Sequence, residues 1–185
     1  MDKSECYALL DRLNCPAHVI RHSEAVALLA QEIASRIAEC SIETVYAGSL
    51  LHDIGRTVTH TIAHAYEGDK IALRYGLPDT IREIIRTHIG GGITAAEALI
   101  LGLPEQDFMP VSIESKIVSH ADNLISDTIR RSLAETLDNY TEKGLHTAVE
   151  RIQILHNEIS ERAGVDVDTL AISRLNGERG SRNAE

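Results

Sequence analysis

The chain has 185 residues, a length that suits one domain with a hydrophobic core large enough to be stable without cross-links. It is 43% hydrophobic with no Trp and one Phe, so the core has to be built from Ala, Leu and Ile, a composition that favours helices. The formal net charge of −10 disfavours a nucleic-acid polymer as partner, and three cysteines without a C-x-x-C pair disfavour a disulfide framework.

Apolar residues recur with helical rather than strand periodicity along the chain, which predicts an all-α fold. Pro16 can open a helix, Ser41 can cap the next one, and Gly55 follows its end. The predicted helices lie near 3–13, 16–40, 42–53, 64–75, 78–89, 94–101, 112–139 and 145–163. We predict a single helical domain over 1–174 and a frayed polar tail over 175–185.

Polar side chains lie on otherwise apolar helix faces at several positions. His22 falls inside an apolar stripe, and Asp122 falls at the edge of another. His52 shares a face with the small residues Gly48 and Ser49, which would let a neighbouring helix approach closely. Alone, His22 is more often a satisfied core histidine and Asp122 an internal hydrogen-bond acceptor. Several such residues on separate helices, in a chain without a cysteine cluster, favour a divalent transition metal between the helices.

The order and context of these residues resemble a known family. His22, the pair His52 and Asp53 in "HDIG", and Asp122 in "SHADNLI" match the four metal-binding positions of the HD-domain superfamily of metal-dependent phosphohydrolases. The resemblance covers about residues 16–130 and is closest to short archaeal-type HD hydrolases, which share "HIGGGIT" and "KIVSHADNLI". It implies an HD-type helical bundle with a metal site between its helices.

Two more histidines resemble the additional ligands of the two-metal branch of that family. They are His64 in "AHAYEGDKIA" and His88 in "IIRTHIGGG". The resemblance assigns a first ion to His22, His52, Asp53 and Asp122, and a second to Asp53, His64 and His88, so that Asp53 bridges both. It leaves open whether the second ion is present. Fe, Mn, Ni and Co all fit nitrogen and oxygen ligands.

The chemistry implied by the resemblance is hydrolysis of a phosphate ester by metal-activated water, with Asp53 among the catalytic residues. Arg56, directly after "HDIG", is a candidate for binding phosphate through its planar fork of donors, or is a solvated loop arginine. His60 is a candidate proton donor to the leaving oxygen, or is simply exposed.

The expected partner is a small phosphorylated substrate: a nucleotide, a dinucleotide or a 2',3'-cyclic phosphate. The first ten residues lack the features of a signal peptide and no apolar run reaches membrane-spanning length, so we expect a cytoplasmic protein with no membrane partner. The sequence leaves a homo-oligomer open.

Two other functions stay open from the sequence. HD-type di-iron oxygenases carry the same six-ligand pattern and use O₂ rather than water, so a need for iron and oxygen would favour them. A non-catalytic metal- or nucleotide-binding module would keep the fold without turnover. Loss of a ligand would favour that module, and all six ligands are present here.

Overall fold

Nine α-helices make up most of residues 1–170, the part of the chain that the computed structural model describes. The helices are α1 (Lys3–Arg12), α2 (Ala17–Ala34), α3 (Ile42–Leu51), α4 (His64–Arg74), α5 (Asp79–Thr87), α6 (Ala95–Ile100), α7 (Ile113–Asn123), α8 (Leu133–Glu142) and α9 (His146–Ala163). Two short antiparallel strands, β1 (Ile125–Ser126) and β2 (Ile129–Arg130), form a hairpin between α7 and α8. The predicted all-α fold is confirmed. The predicted tail, 175–185, and the domain end at 174 lie outside the described residues.

The core consists of two main apolar clusters that share α2, α3 and α5. One cluster continues into α7 and α9, and the other continues into α1 and α4. The three shared helices are therefore held on both sides, so the residues at their ends have fixed positions relative to one another. No helix of this part of the chain is long and apolar enough to cross a membrane.

The predicted close approach at Gly48 is confirmed. A Cβ atom on Gly48 would lie 2.4 Å from Cδ1 and 3.3 Å from Cβ of Ile84, on α5. Any larger residue at this position would therefore force the Ile84 side chain to shift. The close packing matters because His52 directly follows α3 and His88 directly follows α5.

The prediction that the second helix runs to Cys40 is wrong, because α2 ends at Ala34. Past that point the chain forms successive turns, in which the Ile37 amide donates to the Ala34 carbonyl and the Cys40 amide donates to the Ile37 carbonyl. Ile37 is nevertheless buried in the core. The helical spacing of apolar residues in the sequence continues to Ile37, although the helix does not. Ile37 reaches the core from a turn.

The single helix predicted over 112–139 is also wrong. The chain leaves the helical conformation after Asn123 and reverses through the hairpin, where Asp127 has a left-handed backbone with φ 54°. Ser132 then caps α8 and forms a capping box with Glu135. This S-x-x-E pattern is typical of a helix N-terminus. The apolar periodicity across it nevertheless led to the prediction of one continuous helix.

Glu83 on α5 anchors the start of α7, and its loss is expected to destabilise the fold. Its Oε1 accepts hydrogen bonds from the amides of Val111 (3.0 Å) and Ser112 (2.8 Å) and from the hydroxyl of Ser115 (2.8 Å). We expect Glu83→Ala to lower the free energy of unfolding by about 2 kcal/mol, because three donors, two of them in partly buried bonds, lose a charged acceptor. Urea unfolding measures this.

The same bonds predict a pH dependence for that stabilisation. Burial raises the pKa of Glu83, but the hydrogen bonds from Ser112 and Ser115 outweigh it and hold the pKa below the ordinary 4.5. The stabilisation is therefore present above pH 4.5 and is lost as the pH falls through the lower folded-state pKa. Glu67→Ala is the control, since Glu67 pairs with the exposed Lys70 and should change stability by less than about 0.5 kcal/mol. Equal effects of the two variants would contradict this role of Glu83.

Candidate metal centre

The structure brings the six sequence-predicted ligands together from five segments of the chain. They are His22 on α2, His52 and Asp53 directly after α3, His64 at the start of α4, His88 directly after α5, and Asp122 on α7. Their ligand atoms form overlapping groups whose members lie within 4.8 Å of one another: His22, His52 and Asp53; Asp53, His64 and His88; and His52, His88 and Asp122. A metal centre at this junction therefore stays a prediction that the geometry supports.

All four imidazoles are held in the same way. In each, Nδ1 lies within hydrogen-bond distance of a backbone carbonyl oxygen, and because a carbonyl only accepts, Nδ1 has to donate. The pairs are His22 with Asp127 (2.8 Å), His52 with Ser49 (2.7 Å), His64 with Thr61 (2.8 Å) and His88 with Ile85 (2.8 Å). A neutral ring then has its lone pair on Nε2, and these four atoms converge. Backbone carbonyls commonly orient metal-binding histidines through this bond.

Asp53 lies at the middle of the cluster, with one carboxylate oxygen facing each pair of histidines. Its Oδ1 lies 3.1 Å from Nε2 of His64 and 3.6 Å from Nε2 of His88. Its Oδ2 lies 3.7 Å from Nε2 of His52 and 4.0 Å from Nε2 of His22. This is the arrangement that a carboxylate bridging two ions requires.

Asp122 lies closest to His22 and His52. Its Oδ1 lies 2.9 Å from Nε2 of His22 and 3.5 Å from Nε2 of His52. The side chains of His22 and Asp122 are 17% and 20% exposed, whereas that of His64 is 6% and that of Asp53 is 3% exposed. The side of the cluster with His22 and Asp122 is therefore the one that a substrate can reach.

The donors fit a divalent cation better than they fit one another. Nε2 of His64 and Nε2 of His88 lie 3.0 Å apart, although both rings donate through Nδ1, so two lone pairs face each other unless a proton or a cation lies between them. Nε2 of His52 and Oδ1 of Asp53 are buried and have no hydrogen-bond partner in the described residues. Buried polar atoms of this kind require a partner, and imidazole with carboxylate is a suitable donor set for a transition metal.

The local environment favours the ionisation states that metal binding needs at Asp53, Asp122 and His88, but it favours the protonated state at His52. Although burial raises them, the charges of neighbouring histidines hold the pKa values of Asp53 and Asp122 well below the ordinary range. Burial and then the charges of His52 and His64 lower the pKa of His88 to about 3. Burial alone would lower the pKa of His52, but the charges of Asp53 and Asp122 raise it to about 9. Cation binding at His52 therefore has to displace a proton.

Gly55 allows the turn after Asp53 to pack directly against α4. A Cβ atom at this position would lie 1.8 Å from the backbone oxygen of His64 and 2.6 Å from the backbone nitrogen of Gly68. The sequence indicated only that Gly55 follows the end of a helix. Its structural role is the backbone contact that places His64 opposite Asp53.

Replacing Gly55 by alanine is expected to move α4 and to lower stability by about 3 kcal/mol or more, because backbone atoms cannot yield to the added methyl group. The occupancy of the metal ion at His64 should fall together with the stability. Gly76→Ala is the matched control, since Gly76 has φ +68° and nothing within 4 Å of the added Cβ. That change should cost only about 1 to 2 kcal/mol of backbone strain and leave metal content unchanged. Urea unfolding with elemental analysis compares the two, and equal effects would contradict the packing role.

Two cavities open from the cluster, and His22 and Arg56 line both. The larger, of about 490 Å³, extends past Asp122 to α8. The smaller, of about 270 Å³, extends to His60, which is exposed and whose ring centre lies 6.4 Å from that of His18. Arg56 donates from Nε to Oδ2 of Asp53 at 2.5 Å. The roles predicted for Arg56 and His60 stay predictions, and both side chains lie where a substrate could contact them.

Comparison with known proteins shows the family. The HD-domain family model matches residues 19–127, more than half of the chain. This protein belongs to the HD-domain family. The matched range contains all six candidate ligands.

Solved HD-domain structures share the fold. The HD domain of the L. monocytogenes phosphodiesterase PgpH, in complex with cyclic-di-AMP, aligns with a TM-score of 0.53 at 18% sequence identity and covers 90% of this chain and 100% of that chain. At this identity the likeness concerns the fold alone, and it confirms the HD-type helical architecture.

Relatives closer in sequence have varied names. A tRNA (cytidine(56)-2'-O)-methyltransferase of Picrophilus torridus is 43% identical over 91% of this chain, which spans only 49% of that relative. An uncharacterized protein of Methanocaldococcus jannaschii is 40% identical over 86% of this chain and 98% of its own length. Ribonuclease Y of Thermosipho melanesiensis is 30% identical over 81% of this chain and 27% of that relative. This HD-domain chain thus spans about half the length of its methyltransferase relatives.

Proposed function

We propose that this HD-domain protein hydrolyses a small phosphate ester at the candidate metal centre. His22, His52, Asp53 and Asp122 would hold one divalent ion, and Asp53, His64 and His88 would hold a second. The observation that carries the proposal is the position of Asp53, whose two oxygens face two different histidine pairs. Fe, Mn, Ni and Co are the metals that fit this donor set.

Bound divalent ions supply a water of lowered pKa and neutralise charge on the phosphate oxygens. The residues of the chain position the reacting groups around them. Asp53 sets the spacing between the two halves of the centre, and the four imidazoles are already fixed by backbone carbonyls, so little reorganisation accompanies the reaction. His60, in the loop beside the smaller cavity, is the candidate that would give a proton to the leaving oxygen.

Names of similar proteins support a phosphoester substrate. PgpH is a phosphodiesterase whose HD domain was solved with cyclic-di-AMP, and Ribonuclease Y is by name a ribonuclease. A small phosphorylated compound fits the acidic chain better than an RNA polymer does, because a net charge of −10 repels a polyanion.

The methyltransferase relatives do not point to methyl transfer by this chain. The match covers only about half of their length. The site of this chain is a cluster of histidine and aspartate donors that suits divalent cations. We therefore propose phosphoester hydrolysis, and not methyl transfer, for the residues that the structure describes.

Arg56 is expected to bind the substrate phosphate rather than the metal. Its Nε is bound to Asp53, while in the described residues neither Nη atom makes a hydrogen bond, and the side chain borders both cavities. We expect Arg56→Ala to raise KM by about tenfold, the effect of losing one charged hydrogen bond, with a smaller change in kcat. Arg56→Lys should recover part of the loss, because it keeps the charge without the planar fork. Loss of metal from either variant would mean that Arg56 supports the centre instead.

The proposed function is tested by turnover of phosphate esters under strict anaerobiosis with Mn(II). The panel contains 2',3'-cyclic nucleotides, mononucleotides and dinucleotides. We expect at least one class to be hydrolysed without O₂ and without iron. Activity that requires iron and O₂ would replace hydrolysis by oxygenation, and tight binding without turnover of any ester would indicate a non-catalytic module.

A further inference from the structure

The larger cavity reaches well beyond the metal centre. It has a volume of about 490 Å³, and His22, Arg56 and Asp122 form only its inner side. Its outer side is formed by the end of α7, the hairpin and α8, and we call the whole cavity the α8 pocket. A volume of this order suits a ligand of nucleotide size rather than a lone phosphate group.

The side of the pocket formed by α8 and its flanking residues is called the α8 wall. A cationic side chain lies at each end of this wall. Arg131 precedes α8, and its contact with a carboxylate is a long one, 3.7 Å from Nη1 to Oε1 of Glu135. Lys143 follows α8 and lies 5.9 Å from the ring centre of Tyr140, and no carboxylate of residues 1–170 lies within 4.0 Å of its Nζ. The acidic group of this wall is already engaged, since Oε2 of Glu135 accepts from the amide and hydroxyl of Ser132. A chain with a net charge of −10 thus presents cations that are little neutralised at this pocket.

The end of α7 adds an amide donor. Asn123 accepts a hydrogen bond on Oδ1 from the hydroxyl of Tyr140 at 3.1 Å. Its Nδ2 is buried and has no hydrogen-bond partner in the described residues. Because the Tyr140 hydroxyl donates to Oδ1, the orientation of the amide is fixed and Nδ2 is left free to donate. A buried donor without a partner requires an acceptor, which a ligand in the α8 pocket can supply.

We propose that the α8 pocket binds a second phosphate group of the substrate, beyond the phosphate that is cleaved at the metal centre. Arg131 and Lys143 supply the charge, and Asn123 supplies an amide donor. The inference rests on the proposed function and narrows its substrate class to esters that carry two phosphates. The second phosphate can be terminal, as in a 5'-phosphorylated dinucleotide, or bridging, as in a cyclic dinucleotide.

A matched pair of substrates tests this inference with the Mn(II)-loaded protein. The dinucleotides pApA and ApA contain the same scissile bond and differ only in the terminal phosphate, and cyclic-di-AMP supplies the bridging case. We expect kcat/KM for pApA or for cyclic-di-AMP to exceed that for ApA by about tenfold or more, the worth of one charged hydrogen bond. Whichever is preferred identifies the second phosphate as terminal or bridging.

The variants Arg131→Gln and Lys143→Gln test the wall itself. Each should remove most of the preference for the two-phosphate substrate over ApA, mainly by raising KM for the two-phosphate substrate. Each should change kcat/KM for ApA by less than about twofold relative to the wild type. Arg36→Gln is the matched control, because it removes one positive charge from a residue that pairs with Glu32 and does not line the pocket. It should leave all three substrates unchanged. The proposal is overturned if the wild type prefers neither two-phosphate substrate over ApA. It is also overturned if the two wall variants lower turnover of ApA as much as they lower turnover of the two-phosphate substrate.

Binding of uncleavable analogues separates the pocket from the reaction. Analogues of pApA, ApA and cyclic-di-AMP with methylene in place of the scissile bridging oxygen are titrated calorimetrically into the Mn(II)-loaded protein at low and high salt. We expect a two-phosphate analogue to bind about tenfold more tightly than the ApA analogue, less so at high salt and in the wall variants. This result without turnover of any ester would support the pocket while the proposed function fails. Equal binding of all three analogues would overturn the pocket even if hydrolysis is observed.

Discussion

Replacement of Asp53 by alanine is expected to remove both divalent ions and to lower kcat/KM by more than about 100-fold. Loss of a residue that only orients a ligand typically costs about 10- to 100-fold, so loss of the shared ligand should cost at least as much. The side chain lies within 3.1 to 4.0 Å of all four imidazole Nε2 atoms. No other single residue of the described cluster has this position.

The experiment needs variants that separate metal loss from misfolding. Asp53→Asn keeps the shape of the side chain and removes its charge, and circular dichroism should report the same helix content as in the wild type. Asp69→Asn is the control for a buried carboxylate elsewhere in the domain, since Asp69 pairs with Arg82 and Arg86 on α5. It should keep both ions. Normal metal content in both Asp53 variants, measured by elemental analysis, would reject the assignment of Asp53.

Removal of His64 or His88 is expected to lower the metal content from about two ions per chain to about one. Both histidines face Oδ1 of Asp53, whereas the nearest imidazoles to Asp122 are those of His22 and His52. Asp122→Ala should instead weaken the ion on the exposed side, where Asp122 lies 2.9 Å from His22. Activity should fall in all of these variants, because the proposed reaction uses both ions.

Titration with Mn(II), followed by elemental analysis and by electron paramagnetic resonance, distinguishes loss of the ion at His64 and His88 from loss of the ion at Asp122. The spin coupling between neighbouring Mn(II) ions should disappear when His64 or His88 is removed. His156→Gln is the control, because His156 is a buried histidine, 3.2 Å from His120, outside the cluster. Equal loss of both ions from the His64, His88 and Asp122 variants would show that the two-ion division is wrong.

Much of the centre could be predicted from the sequence, because helical periodicity and short motifs are local properties. His22 on its stripe and the small Gly48 beside His52 both follow from 100° steps along a helix. The sequence does not encode the orientation of the rings in the same direct way. Each Nδ1 bonds to a carbonyl that is exposed only once a helix or turn ends, so the inward direction of Nε2 depends on the folded backbone.

The α8 pocket could not be predicted, because the sequence prediction merged α7 and α8 into one helix. On a continuous helix, Arg131 would lie about 13.5 Å along the axis beyond Asp122, at a rise of about 1.5 Å per residue. The hairpin at Asp127 folds the chain back instead, so that both residues line one cavity. The backbone contact of Gly55 escaped prediction for a similar reason, since its partner on α4 is defined only by the packing.

Anomalous diffraction from crystals of the Mn(II)-loaded protein tests the central claim most directly. We expect two manganese peaks, one on each side of Asp53: the first among His22, His52 and Asp122, the second between His64 and His88. Asp53→Asn crystals provide the reference in which both peaks weaken. A single peak, or peaks away from these six side chains, would contradict the two-ion centre on which the proposed hydrolysis depends.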